Sequence, residues 1–123
     1  MHRFPAASIS GLITLSNAAS QASTVTGSAV NLMTPDIDGL MEITQNIGAV
    51  TGSITGKIQD SADGSTGWAD LTGATFTQVS SANNTQRIVI DARATRGYIR
   101  YVGTIVTGPA LVAVTGSGVP KTS

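Results

Sequence analysis

Apolar and polar side chains alternate with a period of two at several places in this chain, and a helical period is nowhere sustained. In LMEITQNI, residues 40–47, the alternation puts Met41, Ile43 and Ile47 on one face and Glu42 and Thr44 on the other. In SITGKIQD, 53–60, Ile54 and Ile58 point inward, with Lys57 and Gln59 outward. In QRIVIDA, 86–92, Ile88 and Ile90 point inward, with Arg87, Val89 and Asp91 outward. Successive side chains of a strand leave opposite sides of the pleat, so this period predicts half-buried strands.

Weaker alternation predicts further strands at 9–16 (ISGLITLS), at 23–32 (STVTGSAVNL, weakened by Gly27) and at 74–79 (ATFTQV, carrying Phe76). MTPDIDG, 33–39, predicts a turn, since Pro35 fixes φ and Asp36 and Asp38 can bond the local backbone. SSANNTQ, 80–86, predicts a loop whose asparagines tolerate left-handed backbone. GYIRYVGTIV, 97–106, and ALVAVTG, 110–116, are apolar on both faces. Such a strand is either central in its sheet or covered by a neighbouring subunit. The intervening TGP predicts that the two form a hairpin. About eight short antiparallel strands at this spacing predict an all-β fold, a single β-sandwich. The expected organisation is an N-terminal arm at 1–8, a sandwich domain at 9–118 and a C-terminal tail at 119–123. The opening MHRFPAASISGLITLSNAASQAS, with a basic start, a mildly apolar stretch and small residues later, looks like a poor signal peptide, its apolar run broken by Ser8, Ser10, Gly11 and Thr14, and reads better as a short arm followed by a strand.

Composition narrows the function classes. The formal net charge is zero, with seven basic and seven acidic side chains, so the basic excess that drives phosphate binding is missing and no nucleic-acid partner is expected. No apolar run approaches a membrane span, and no membrane partner is expected. There is no cysteine, which excludes disulfides and thiolate metal sites. Charged residues make up only 11% of the chain, and Ser, Thr and Gly fill the polar positions. Charge ordinarily keeps monomers apart, so a surface this poor in it predicts a protein that works in contact with others.

The stretch KIQDSADGSTGWADL, 57–71, carries the sole tryptophan and three aspartates. As a calcium loop it fails: counted from Asp60, the third position is Ala62 and the twelfth is Leu71, where oxygen ligands are required. It reads instead as a hairpin loop turning at Asp63-Gly64, with Trp68 packing on the core as a plug; Phe76 is the other expected core plug. No catalytic residue, cofactor or metal site is expected. The single histidine is His2, and without cysteine or a second histidine no nucleophile has a positioned base. Arg87, Arg93, Arg96 and Arg100 cluster in the C-terminal third. They form either a solvated face or a basic edge meeting an acidic loop of a neighbouring subunit.

Residues 53–118, with GSITGKIQDSADGSTGWADLTGATFTQV and then TQRIVIDARATRGYIRYVGTIVTGPALVAVTGSGV, resemble the capsid decoration, or cement, proteins of tailed bacteriophages. The resemblance implies a jelly-roll-like sandwich that acts as a structural virion protein. It would bind the major capsid protein on the outer surface of an icosahedral capsid, at capsomer junctions, and stabilise the shell. It implies a homo-oligomer, a trimer at local threefold points or alternatively a dimer at twofold points. The expected capsid or subunit contacts are Arg3, Phe4 and Pro5 of the arm, with Phe4 as apolar anchor and Arg3 as charge partner, and Arg96, Tyr98, Arg100 and Tyr101. The alternatives are a neck, tail or fibre-base protein of a phage, or a small carbohydrate-binding β-sandwich module.

Overall fold

The computed structural model describes residues 12–33 and 37–120. The strands in chain order are β1 (Leu12–Gln21), β2 (Val25–Thr26), β3 (Val30–Asn31), β4 (Ile37–Val50), β5 (Ser53–Ser61), β6 (Ala69–Thr75), β7 (Asn84–Asp91), β8 (Tyr98–Val106) and β9 (Ala110–Pro120), with one 3-10 turn at Ala92–Ala94. All pairings are antiparallel. One sheet runs β1-β9-β4-β7, and the other β2-β8-β5-β6, with β3 also on β8. If β2 and β3 are taken as one broken strand, the first strand pairs the last, the second the next to last, and so on inward to β5 with β6. A long hairpin wrapped in this way into two sheets is the jelly-roll connectivity of a β-sandwich.

The alternating pattern positions the core. Met41, Ile43 and Ile47 of β4, Ile54 and Ile58 of β5, and Ile90 of β7 are buried between the sheets. Val112 and Val114 of β9 and Ile99 of β8 join them. The two strands that are apolar on both faces are the central ones, β8 between β2 and β5, and β9 between β1 and β4. They do not form a hairpin. They belong to different sheets, and Thr107–Pro109 carries the chain from one layer to the other.

Other boundaries differ for local reasons. The expected 23–32 strand is broken into β2 and β3 around Gly27, which lies so close to β1 that a Cβ would run into the Leu15 carbonyl. The strand expected at 74–79 lies earlier, as β6, and Phe76–Gln78 leave the sheet. Phe76 N–H still donates to Gly56 O (2.8 Å), and Val79 bridges Ile54. Gly73, at φ +79°, falls between the two registers in which β6 meets β5, Gln59 with Asp70 and Lys57 with Thr75. Of the turn expected at 33–39, residues 37–39 are strand, and 34–36 lie outside the described residues.

At the centre sits a polar bridge between the layers. Tyr101 on β8 is fully buried and donates its hydroxyl to Gln45 Oε1 on β4 (2.5 Å). Gly56 and Gly103 face each other across β5 and β8, and the Tyr101 ring lies over both. A Cβ on Gly103 would stand 2.9 Å from Tyr101 Cε2, and one on Gly56 would run into Gln45 Oε1 and the ring. Phe76 meets the Tyr101 ring edge-on, centroids 6.3 Å apart. Burial pushes the Tyr101 phenol well above its usual range, so it stays a donor. Among the described residues Gln45 Nε2 has no partner, a residual cost in the core.

Two variants test this bridge. Tyr101→Phe strands Gln45 Oε1 beside the already unpartnered Nε2 and is expected to lose about 1–3 kcal/mol in urea unfolding. Adding Gln45→Met removes the stranded amide, so the double variant should recover most of that loss. Gly56→Ala is expected to destabilise by about 1–3 kcal/mol or more, because the new methyl overpacks the bridge.

Candidate interaction surface

The loop after β5 is built around Asp63. Its Oδ1 accepts from the N–H groups of Ser65 and Thr66 (2.9 Å each) and from Ser61 Oγ (3.0 Å), and Oδ2 accepts from Thr66 Oγ1 (2.8 Å). Ser61 Oγ in turn accepts from the N–H groups of Asp63 and Gly64. Gly64 and Gly67 take the left-handed conformations that close the loop. The Thr66 N–H, then the Ser65 N–H and the hydroxyls, hold the Asp63 carboxyl well below the usual carboxylate range. Both of its oxygens are engaged within the loop. Among the described residues, no group of three His, Cys, Asp or Glu side chains is placed to hold a metal ion.

Arg96 fastens this loop to the turn before β8. Its guanidinium donates to Asp60 O (2.6 Å), Asp60 Oδ1 (3.1 Å) and Gly67 O (2.7 Å), and its own N–H donates to Asp60 Oδ2 (3.0 Å). Asp60 is buried, so this is an internal clamp rather than a free surface charge. The acidic loop that meets this arginine belongs to the same chain.

Further along the outer face of the β8-β5-β6 layer, polar side chains are linked in series. The Arg100 guanidinium lies 4.3 Å from the Trp68 ring centroid, and its Nε donates to Gln59 Oε1 (2.9 Å). Gln59 Nε2 donates to Asp70 Oδ1 (2.9 Å), and Lys57 Nζ stands 3.0 Å from the same oxygen. The Gln59 amide, then Lys57, lowers the Asp70 carboxyl below its ordinary value. Tyr98 is half-buried, and its ring takes the space that a side chain at Gly64 would need.

The fold therefore brings Arg96, Tyr98, Arg100 and Trp68 to one end of one face. It does not bring Tyr101 there: the alternation of β8 turns Tyr101 into the core, and its assignment as a contact residue is corrected. Trp68 is corrected in the opposite sense. It does not plug the core but lies half-buried on the outer face under Arg100, and Phe76 alone of the two fills the interior. Arg3, Phe4 and Pro5 lie outside the described residues. Sequence reasoning missed Gln45, although the parity of Met41, Ile43 and Ile47 already placed it inward.

The opposite outer face, on β1-β9-β4-β7, differs in kind. The register places Thr44 beside Thr115 and Arg87, and Asn46 beside Ala113 and Thr85. Leu40, Val89 and Leu111 are exposed here, and the Leu111 side chain leans over Gly48. Among the described side chains that β4 and β7 present here, charge is confined to the loose Arg87–Glu42 pair (3.7 Å) and Asp91, which is 3.8 Å from Arg93.

No protein-family model matches the chain, and no curated protein matches it in sequence.

Two outcomes follow from this geometry. The folded carboxyls of Asp63 and Asp70 titrate below their unfolded values. Their contribution is therefore present above about pH 4, the ordinary carboxylate value, and is lost as pH falls through the folded values. Asp63→Asn should be less stable at neutral pH and lose less on acidification from about pH 5 to about pH 2, read by urea unfolding at each pH. Arg100→Gln uncovers Trp68: its emission should shift to the red and its acrylamide quenching rise, with a stability change within about 1 kcal/mol.

Proposed function

We propose that the protein is a structural component of a bacteriophage particle, a cement or decoration protein seated on the outer surface of an icosahedral capsid at capsomer junctions. The observation that carries this reading is the outer face of the β1-β9-β4-β7 sheet, which exposes Leu40, Val89 and Leu111 and, away from the Glu42, Arg87 and Asp91 charges beside Leu40 and Val89, presents neutral Thr and Asn side chains. Apolar surface of this kind, poor in charge, suits burial against a partner. The phage setting comes from the resemblance of residues 53–118. The chemistry would be mechanical. A sandwich braced across its layers by Tyr101 and Gln45 is a stiff wedge, and a wedge that binds only the assembled shell stabilises that shell by linkage. In this reading the major capsid protein is the partner, the protein is a homo-oligomer, and the arm with Arg3, Phe4 and Pro5 reaches the shell or a neighbouring copy.

One observation favours the carbohydrate-binding alternative, the position of Trp68 on an outer face. The Arg100 guanidinium stacks on that ring, so at most one ring face is left for a sugar. The capsid reading accordingly expects no change in Trp68 fluorescence on titration with glycans.

The direct assay is co-sedimentation of the purified protein with capsids stripped of it. Binding, together with a higher shell-disruption temperature, is the expected result, and failure to bind would reject the reading. Deleting residues 1–7 should abolish binding while leaving the β-rich circular dichroism spectrum intact. Undiminished binding of the truncated protein would reject the role of the arm.

A further inference from the structure

We propose that the protein forms a two-fold dimer by antiparallel pairing of the free edge of β7 with β7 of a second copy, through Arg87–Asp91. The inference deepens the oligomeric part of the reading above and is independent of its capsid part.

Exposed strand edges invite pairing, and proteins ordinarily blunt them. Among the described strands, three of the four sheet edges are blunted. β1 carries register shifts at Thr14/Ser16 and at Ser16/Ala19. The opposite layer ends on one side in the two-residue fragments β2 and β3, and on the other in β6, whose pairing is shifted and which carries Gly73 at positive φ. β7 is the exception. Its ladder with β4 runs unbroken from Asn84 to Asp91 and contains no proline, no bulge and no lysine. The Gln86 side chain exchanges hydrogen bonds with the Thr77 backbone, which occupies the beginning of the strand. Among the described residues, Arg87–Asp91 pairs with β4 alone.

The sequence of this free segment is complementary to itself. Arg87-Ile88-Val89-Ile90-Asp91 laid antiparallel on a second copy, centred on Val89, puts Arg87 opposite the second copy's Asp91 and Asp91 opposite its Arg87. Val89 then meets Val89 on the outer face, and Ile88 meets Ile90 on the core face. The register joins residues of like parity, so backbone groups pointing outward from one strand meet groups pointing outward from the other. A two-fold axis needs a patch that matches its own image, and this segment supplies charge pairs at both ends and apolar pairs between them. Val89 is 58% exposed in the single chain, which the second copy would reduce. The existing ion pairs of the two charges, with Glu42 at 3.7 Å and with Arg93 at 3.8 Å, are long and exposed and offer little resistance to exchange; Asp91 Oδ1 also accepts from the Arg93 N–H (3.0 Å) as the cap of the 3-10 turn.

The test is sedimentation equilibrium of the full chain over a wide concentration range, with three variants. Wild type should fit a monomer–dimer equilibrium. Val89→Lys sets two ammonium groups face to face at the axis and should leave a monomer with unchanged circular dichroism. Arg87→Asp and Asp91→Arg should each raise the dimer Kd by roughly tenfold or more, since each sets like charges opposite at both ends. An equimolar mixture of these two variants restores both charge pairs and should recover the dimer. A wild type that stays monomeric, assembles with threefold stoichiometry, or dimerises as well with Val89→Lys as without it would overturn the proposal. Whatever the result, shell binding is read in a separate assay, so failure of the dimer and failure of the capsid reading are distinguishable.

Discussion

A tyrosine ring lies flat between the two sheets because two glycines face each other beneath it. Sheets of a sandwich stand about 10 Å apart, which leaves little depth for a ring that must also reach a polar partner. Gly56 and Gly103 supply the depth, and Gln45 from the opposite layer accepts the hydroxyl. Glycine weakens a strand on its own account, and here the covering ring offsets that weakness. The arrangement also fixes alignment. A one-residue slip between β5 and β8 would turn Tyr101 outward and separate the glycine pair. The hydrogen bond to β4 then sets one layer against the other, and Phe76, bonded through its N–H to Gly56, closes the edge of the cluster. The unpartnered Gln45 amide nitrogen is tolerated within this unit.

With the layers fixed, the two outer faces are free to differ. One carries a linked series from Trp68 through Arg100, Gln59 and Asp70 to Lys57, beside an arginine clamp that holds the Asp63 loop. These groups satisfy one another and need no second molecule. The other face and its β7 edge present apolar side chains, neutral Thr and Asn, and few charges, with a ladder that stops at β7. In the proposed reading, this asymmetry leaves one side to water and the other to contact.

Much of this architecture was legible in the sequence. The alternation of 40–47, 53–60 and 86–92 identified core residues that the structure buries, and the two-faced character of 97–106 and 110–116 marked the central strands. What alternation cannot supply is which strands are neighbours. TGP looked like a hairpin because hairpins and layer crossings both begin with a turn, and only pairing partners distinguish them. Trp68 was misplaced because a large aromatic after a turn suits a core, whereas Arg100, two strands away in the sheet, offered it a stacked position outside. Tyr101 was placed with Arg96, Tyr98 and Arg100 among the contacts, although a strand turns Arg100 and Tyr101 to opposite sides. Gln45 was within reach by parity alone. Its polarity concealed it, since its burial depends on a partner 56 positions away along the chain.

The functional account requires the protein to be present at the junctions between shell subunits in numbers set by the shell's symmetry. The most direct measurement is its copy number in purified virions, by quantitative mass spectrometry against the major capsid protein. The account predicts a fixed ratio comparable to that of the shell protein itself. A few copies per particle, or none, would contradict it.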